Sequence, residues 1–141
     1  MHQGAILVPV FLLLLLTLIV WLHMYVTRLA YFHRAHVNPE KYKSRQAREP
    51  LNPAADYASD NFNNLFELPV IFYVLTGFLY LSNTVDAVYV YLAYAFVLLR
   101  YIHSFIHVTY NRVVHRFIVY VLGALVLWVM VLRFGLGLLG E

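Results

Sequence analysis

Cysteine is absent from the 141-residue chain. The chain therefore has no disulfide, no thiolate metal ligand and no cysteine nucleophile, and any sulfur chemistry would use a thiol that arrives with a ligand. Charged residues are also scarce, at 12% of the sequence, about half of the roughly 25% that is usual in soluble domains. Together with a mean hydropathy of +0.70, this composition excludes a disordered chain and argues against a water-soluble enzyme.

Positive charge is limited as well. The chain has ten Lys and Arg against seven Asp and Glu, a formal net charge of +3. The basic residues are concentrated in two short regions and do not form a continuous stripe. This distribution excludes a nucleic-acid-binding surface.

Long apolar runs occupy most of the sequence. They cover residues 5–26, 62–81, 87–108 and 113–139. As a helix, the first run would be about 33 Å long, enough to cross a bilayer core of about 30 Å and too long for the apolar part of a signal peptide. Short connectors join the last three runs, so neighbouring helices must be antiparallel.

The sequence thus predicts a single-domain, all-α membrane protein over residues 1–141, an antiparallel bundle of four transmembrane helices. The predicted helices cover about residues 5–33, 61–82, 86–109 and 113–138. Residues 34–60 are predicted to form a polar loop. This loop and the connector at 109–112 carry most of the basic residues, so the positive-inside rule places both in the cytoplasm and both termini outside.

Polar residues inside the spans are the candidates for function, because an ionisable group in a bilayer requires a partner or a watery pocket. On the second predicted helix, Asp60, Asn64 and Glu67 are spaced i, i+4 and i+7, which places them on one helical face. Opposite charges at similar depth favour pairing, so Glu67 is predicted to lie near Arg100 or another basic residue of the third helix.

The third predicted helix has a second polar face. Arg100, His103, His107 and Asn111 are spaced i, i+3, i+7 and i+11. The polar faces of the second and third helices together predict a polar pocket between them. Tyr110, one turn beyond His107, is a further candidate for its lining. The alternative is that these side chains only join the helices.

Metal or haem binding is another alternative. His103 and His107 are four residues apart, a spacing that suits two ligands of one metal, with Glu67 as a third, and haem could lie between His23 and a histidine of the third helix. The pattern lacks the catalytic Glu of a zinc protease helix and the extra histidines of a di-iron hydroxylase. No metal is therefore expected.

These features resemble the MAPEG family, membrane-associated proteins in eicosanoid and glutathione metabolism. The resemblance covers nearly the whole chain: four spans, a long polar first loop, and Asn64-x-x-Glu67 at the start of the second span. Asn38-Pro39-Glu40 after the first span is similar to the same tripeptide in the prostaglandin synthase branch.

The third span extends the resemblance. Arg100-x-x-His103, followed by Arg112 and Arg116, matches the prostaglandin synthase branch in spacing. The resemblance implies a homotrimer that binds glutathione as a co-substrate between helices of adjacent subunits, near the cytoplasmic side. It also implies a hydrophobic small-molecule substrate and, for a shorter bacterial-type member, the bacterial cytoplasmic membrane.

The resemblance also implies roles for individual residues. Glu67 would meet the free amine of glutathione and Asn64 another polar group, and Arg112 or Arg116 would approach the thiol or a carboxylate as the catalytic cation. The implied glutathione-binding residues are Asn64, Glu67, Arg100, His103, His107 and Tyr110.

Two positions depart from the family pattern. Asp60 stands where the family motif Arg-x-x-x-Asn-x-x-Glu has its Arg, and His107 stands where a ligand-contacting Tyr is common. Two functional hypotheses therefore stand beside the metal or haem alternative. The first is a glutathione S-transferase or peroxidase acting on lipophilic electrophiles. The second is a non-catalytic scaffold that binds lipid or serves as an accessory subunit of a membrane complex.

Overall fold

The computed structural model describes residues 2–36 and 53–140. The tripeptide Asn38-Pro39-Glu40 and most of the predicted loop lie outside these residues. A short 3₁₀ turn, Gln3–Ile6, leads directly into the first α-helix. The five α-helices are α1 Leu7–Ala35, α2 Pro53–Asn64, α3 Leu68–Leu81, α4 Ala87–Val108 and α5 Val113–Leu139. No β-strand occurs in either described range.

Four helical stretches are long and apolar enough to cross a membrane, which confirms the predicted all-helical architecture. They are Gln3–Ala35, Ala54–Leu81, Ala87–Val108 and Val113–Leu139. The fourth span is the least buried, with 17% of its most apolar stretch buried, against 50% for the third. The helix α4 therefore forms the centre of the bundle, and α5 leaves most of its surface for lipid.

The second span consists of two helices, which corrects the prediction of one helix over 61–82. The chain turns at residues 65–67, where Glu67 has φ −99° and ψ −107°, and α3 starts with Pro69 in its first turn. Proline has no backbone N–H, and its ring would clash with the carbonyl of Leu65 four residues earlier. The turn also interrupts the predicted polar face, because Glu67 does not continue the helix that carries Asp60 and Asn64.

The helix α2 begins inside the segment 34–60 that was predicted to be a loop. Pro53 suits the first helical position because no intrahelical partner exists there for an N–H group. Asp56 lies in the first turn, where a negative charge interacts favourably with the helix dipole. The helix packs against α1, where Arg28 Nη2 donates to Ser59 Oγ at 3.4 Å.

One end of the bundle is held together by polar contacts between the first residues, the 82–86 connector and the end of α5. Gln3 Nε2 donates to Asn83 O at 3.2 Å, and Gln3 Oε1 accepts from Val85 N at 3.1 Å. Asp86 forms a bidentate ion pair with Arg133 of α5, with N–O distances of 2.9 and 2.6 Å. The connector at 109–112 is at the opposite end of α4, so the spans alternate in direction as predicted.

Candidate functional site: a polar crevice between α2, α4 and α5

A crevice of about 150 Å³ lies at the end of the bundle that carries the 109–112 connector. We call it the polar crevice, and it is lined by Asn64, His103, Val113, Arg116, Phe117 and Tyr120. Two candidates from the predicted polar faces, Asn64 of α2 and His103 of α4, therefore meet at one cavity. The apolar side chains of Val113 and Phe117 are exposed beside it, so the crevice opens next to a lipid-facing surface.

Arg100 lies buried next to the crevice, with 1% of its surface exposed. Its guanidinium carbon is 5.3 Å from the centre of the Phe96 ring and 5.0 Å from that of Tyr120. Its Nη2 atom donates to Tyr120 O at 3.4 Å. Two aromatic rings and one carbonyl thus replace part of the hydration of this cation, and its Nε atom is buried without a hydrogen-bond partner.

Tyr120 links the buried cation to the acidic residue predicted to pair with it. The ring lies beside Arg100, and the hydroxyl donates to Glu67 Oε2 at 3.4 Å. Glu67 itself is exposed and, among the described residues, makes no direct ion pair. The predicted Glu67–Arg100 proximity is therefore mediated by the tyrosine.

Arg116 is the cation in the wall of the crevice, and its position is fixed by two contacts. Its Nη1 atom donates to Asn111 Oδ1 at 2.7 Å and lies 3.1 Å from His107 Nε2. An arginine can only donate, so His107 Nε2 acts as the acceptor and the ring carries its proton on Nδ1. His107 is 1% exposed, so it does not face the crevice, and its contact with Arg116 holds the guanidinium in position.

The two histidines of α4 are neighbours. The ring centres of His103 and His107 are 5.8 Å apart, and that of His103 is 6.0 Å from the Tyr120 ring. Within residues 2–36 and 53–140, no group of three or more His, Cys, Asp or Glu is arranged to hold a metal ion. His23 lines a different cavity, between α1, α2 and α4.

Five of the eight predicted site residues are not in the crevice lining: Glu67, Arg100 and His107, described above, and Tyr110 and Arg112. Tyr110 is exposed, and its hydroxyl lies 3.3 Å from His115 Nδ1. Arg112 is exposed at the N-cap of α5. Their roles in binding or catalysis stay predictions.

The sequence did not single out Tyr120, which lines the crevice, or Gly123, where an added Cβ atom would be 2.9 Å from Arg100 Nη2. Arg116, Tyr120 and Gly123 are spaced i, i+4 and i+7 on α5, so they share the helix face that meets α4. That spacing is the signal from which they could have been found.

The described chain is thus a helical membrane protein with four spans and a crevice lined by an amide, an imidazole, a guanidinium and a phenol. The model of the MAPEG family matches residues 6–136, and the chain belongs to this family. No curated protein and no solved structure matches the chain.

Proposed function

We propose that this MAPEG protein binds glutathione in the polar crevice and transfers its thiolate to lipophilic electrophiles, as a glutathione S-transferase or peroxidase. The observation that carries the proposal is the position of Arg116 in the crevice wall, fixed by Asn111 and His107. Glutathione brings the sulfur that the cysteine-free chain lacks. Its carboxylates, ammonium and thiol suit a site with arginine, carboxylate and amide groups.

Arg116 is the proposed catalytic cation. A free thiol has a pKa of about 8.5, and a neighbouring cation lowers it by stabilising the thiolate, which is the reactive form. The thiolate sulfur then forms a bond to the electrophilic carbon while the leaving group departs with its electron pair. In the peroxidase reaction, two glutathione molecules reduce a lipid hydroperoxide to an alcohol and water and become the disulfide.

The remaining groups would position the co-substrate. Glu67 offers an exposed carboxylate for the ammonium group, and Asn64 and Tyr120 offer hydrogen-bonding groups close to it. His103 lines the same crevice. Arg112, exposed at the start of α5, is the second proposed cation, placed to meet a carboxylate.

A second copy of the chain completes the proposed site. The crevice has about 150 Å³, whereas pockets for ligands of drug size start at about 300 Å³. A tripeptide therefore needs another wall, which a neighbouring protomer of a homotrimer would supply. The hydrophobic substrate would enter from the bilayer beside Phe117, and proximity of the two reactants would contribute much of the rate.

The test uses purified protein in nanodiscs, with millimolar glutathione and either 1-chloro-2,4-dinitrobenzene or cumene hydroperoxide. We expect glutathione to raise Tm and turnover to follow. The Arg116→Gln variant should lower kcat/KM on the order of a hundredfold, the usual loss for one donor at a developing charge. The control is Arg34→Gln, the same substitution at an exposed arginine of α1 that is not in the crevice lining.

Two results would contradict this proposal in different ways. If glutathione does not raise Tm, the protein does not bind it, and the proposed binding site is wrong. A rise in Tm without turnover of either substrate would remove the catalytic part and favour the non-catalytic scaffold, the alternative motivated by Asp60 and His107 at the positions where the family pattern differs.

A further inference from the structure

A second cavity lies on another side of α4, between α1, α2 and α4. This cavity, which we call the apolar groove, has a volume of about 270 Å³ and a lining of mainly aliphatic and aromatic side chains, among them Leu16, Val20 and Phe105. It shares no lining residue with the polar crevice. Its occupant is therefore independent of the proposed thiol chemistry.

Two buried polar side chains line this groove without hydrogen-bond partners. Asn61 of α2 is 0% exposed, and both its amide nitrogen and its amide oxygen are unpartnered. Ser104 of α4 is 4% exposed, and its hydroxyl is also unpartnered. Buried polar groups normally find partners, so three such atoms at one cavity call for an explanation.

Several other polar side chains of the bundle find partners within the protein, while single unpartnered atoms also occur outside the groove, at Arg28, Tyr73, Arg100 and His107. Asn64, one turn after Asn61, donates to Asp60 O at 2.8 Å, and buried Thr76 donates to Phe72 O at 2.8 Å. Tyr101, which also lines the groove, donates to Leu12 O at 2.8 Å. Asn61 and Ser104 make no such internal bond, which leaves their donors and acceptors free for a group inside the groove.

We propose that the apolar groove binds a neutral amphiphile with one alkyl chain and an uncharged hydroxyl-bearing end. The alkyl chain lies along the apolar lining, and the hydroxyl donates to Asn61 Oδ1 while it accepts from Asn61 Nδ2 or Ser104 Oγ. The lining contains no Asp, Glu, Lys or Arg, so it offers no counter-charge to an ionised headgroup. Apart from Asn61 and Ser104, the polar side chains of the lining are the exposed His23 and Tyr101, whose hydroxyl already donates to Leu12 O, and the other five lining residues are apolar and offer no side-chain partner to water.

The test is photo-crosslinking of the full chain in phosphatidylcholine nanodiscs with a diazirine-bearing analogue of 1-dodecanol. We expect the label on residues 16–23 and 101–108. Unlabelled 1-dodecanol should compete at a concentration about tenfold lower than n-dodecane, which lacks the hydroxyl, since two hydrogen bonds of ordinary strength account for about that ratio. The alcohol should also raise Tm more than the alkane does.

Matched variants separate recognition of the hydroxyl from apolar partitioning. Asn61→Leu should abolish the preference for dodecanol over dodecane, and Ser104→Ala, a smaller change that serves if the Asn61 variant does not fold, should reduce it. The control is Thr76→Ala, a buried hydroxyl that already has a partner and lies outside the groove, and it should leave the preference unchanged.

Each contrary result overturns the proposal. Equal competition by dodecanol and dodecane with the natural sequence would show that the polar atoms do not recognise the ligand. Label spread over all outward helix faces would show ordinary lipid contact. Absence of label from the groove would show that water or a second copy of the chain occupies it.

Discussion

Gly123 of α5 lies directly against the guanidinium of Arg100. A Cβ atom at Gly123 would be 2.9 Å from Arg100 Nη2, closer than Cβ atoms approach a non-bonded neighbour. The guanidinium has little freedom to withdraw, because it is buried, lies over the rings of Phe96 and Tyr120 and donates a hydrogen bond to the Tyr120 carbonyl. The missing side chain at position 123 therefore makes room for the cation behind the polar crevice.

The variant Gly123→Ala tests this relationship. The added methyl must displace the guanidinium, and overpacking of a buried site costs about 1–3 kcal/mol, partly offset by the better helix propensity of alanine, about 0.5–1 kcal/mol. We expect the free energy of unfolding, measured in detergent micelles, to fall by about 1 kcal/mol or more. The matched control is Gly135→Ala on the same helix, where nothing lies within 4 Å of the added Cβ. Equal stability of the two variants would contradict the close contact.

Tyr120 is expected to contribute through its ring to stability and through its hydroxyl to ligand binding. Tyr120→Phe keeps the ring beside Arg100 and removes the donor to Glu67, so the free energy of unfolding should change little while the Tm rise with glutathione becomes smaller. Tyr120→Leu also removes the cation–π contact, worth about 0.5–2 kcal/mol, and should be less stable by that amount. If the two variants have the same free energy of unfolding, the face of the Tyr120 ring does not stabilise Arg100.

The variant Glu67→Gln separates ligand binding from stability. A direct buried ion pair would make this substitution strongly destabilising, but Glu67 is exposed and meets only the Tyr120 hydroxyl among the described residues. We expect a change of less than about 0.5 kcal/mol in the free energy of unfolding, typical of surface positions, and a lower affinity for glutathione. Isothermal calorimetry gives the affinity. Unchanged affinity would place the ammonium of glutathione elsewhere.

The four spans and their antiparallel order could be predicted from the sequence, because transfer free energy and connector length are local properties. The break at residues 65–67 was visible only as Pro69 inside an apolar run. Hydropathy measures the cost of transfer to lipid and does not respond to backbone geometry, so the run was read as one helix. The sequence does not predict the helical residues 53–60, because their low apolar content resembles that of a loop.

The sequence predicts only some of the residues of the polar crevice. Asn64 and His103 stood out because polar residues are rare in membrane spans. Tyr120 did not, since tyrosine is common at membrane interfaces and the chain has twelve. Its role depends on how α5 packs against α4, and that packing depends in turn on Gly123, whose neighbour in space is 23 positions away in sequence.

The ion pair of Asp86 and Arg133 gives a prediction for the pH dependence of stability. Hydrogen bonds from Arg133 lower the pKa of the Asp86 carboxyl below its ordinary value, which is about 3.9 in an unfolded chain. A group whose pKa is lower in the folded state stabilises the fold above its unfolded pKa, and this stabilisation is lost as the pH falls through the folded pKa. The loss is therefore expected below about pH 4.

Two substitutions at Asp86 distinguish its charge from its role as the N-cap of α4, where its Oδ1 accepts from Tyr89 N at 3.0 Å. Asp86→Asn keeps the cap and removes the charge. Because the pair is partly exposed, we expect a loss of about 0.5 kcal/mol at neutral pH, typical of surface pairs, that disappears at low pH. Asp86→Ala also removes the cap and should lose about 1 kcal/mol more at every pH.

Denaturant titrations at a series of pH values, with Asp60→Asn as the control for removal of one carboxylate, measure both effects. If Asp86→Asn follows the natural protein at all pH values, the ion pair contributes nothing to stability, and the antiparallel contact between α4 and α5 depends on packing alone.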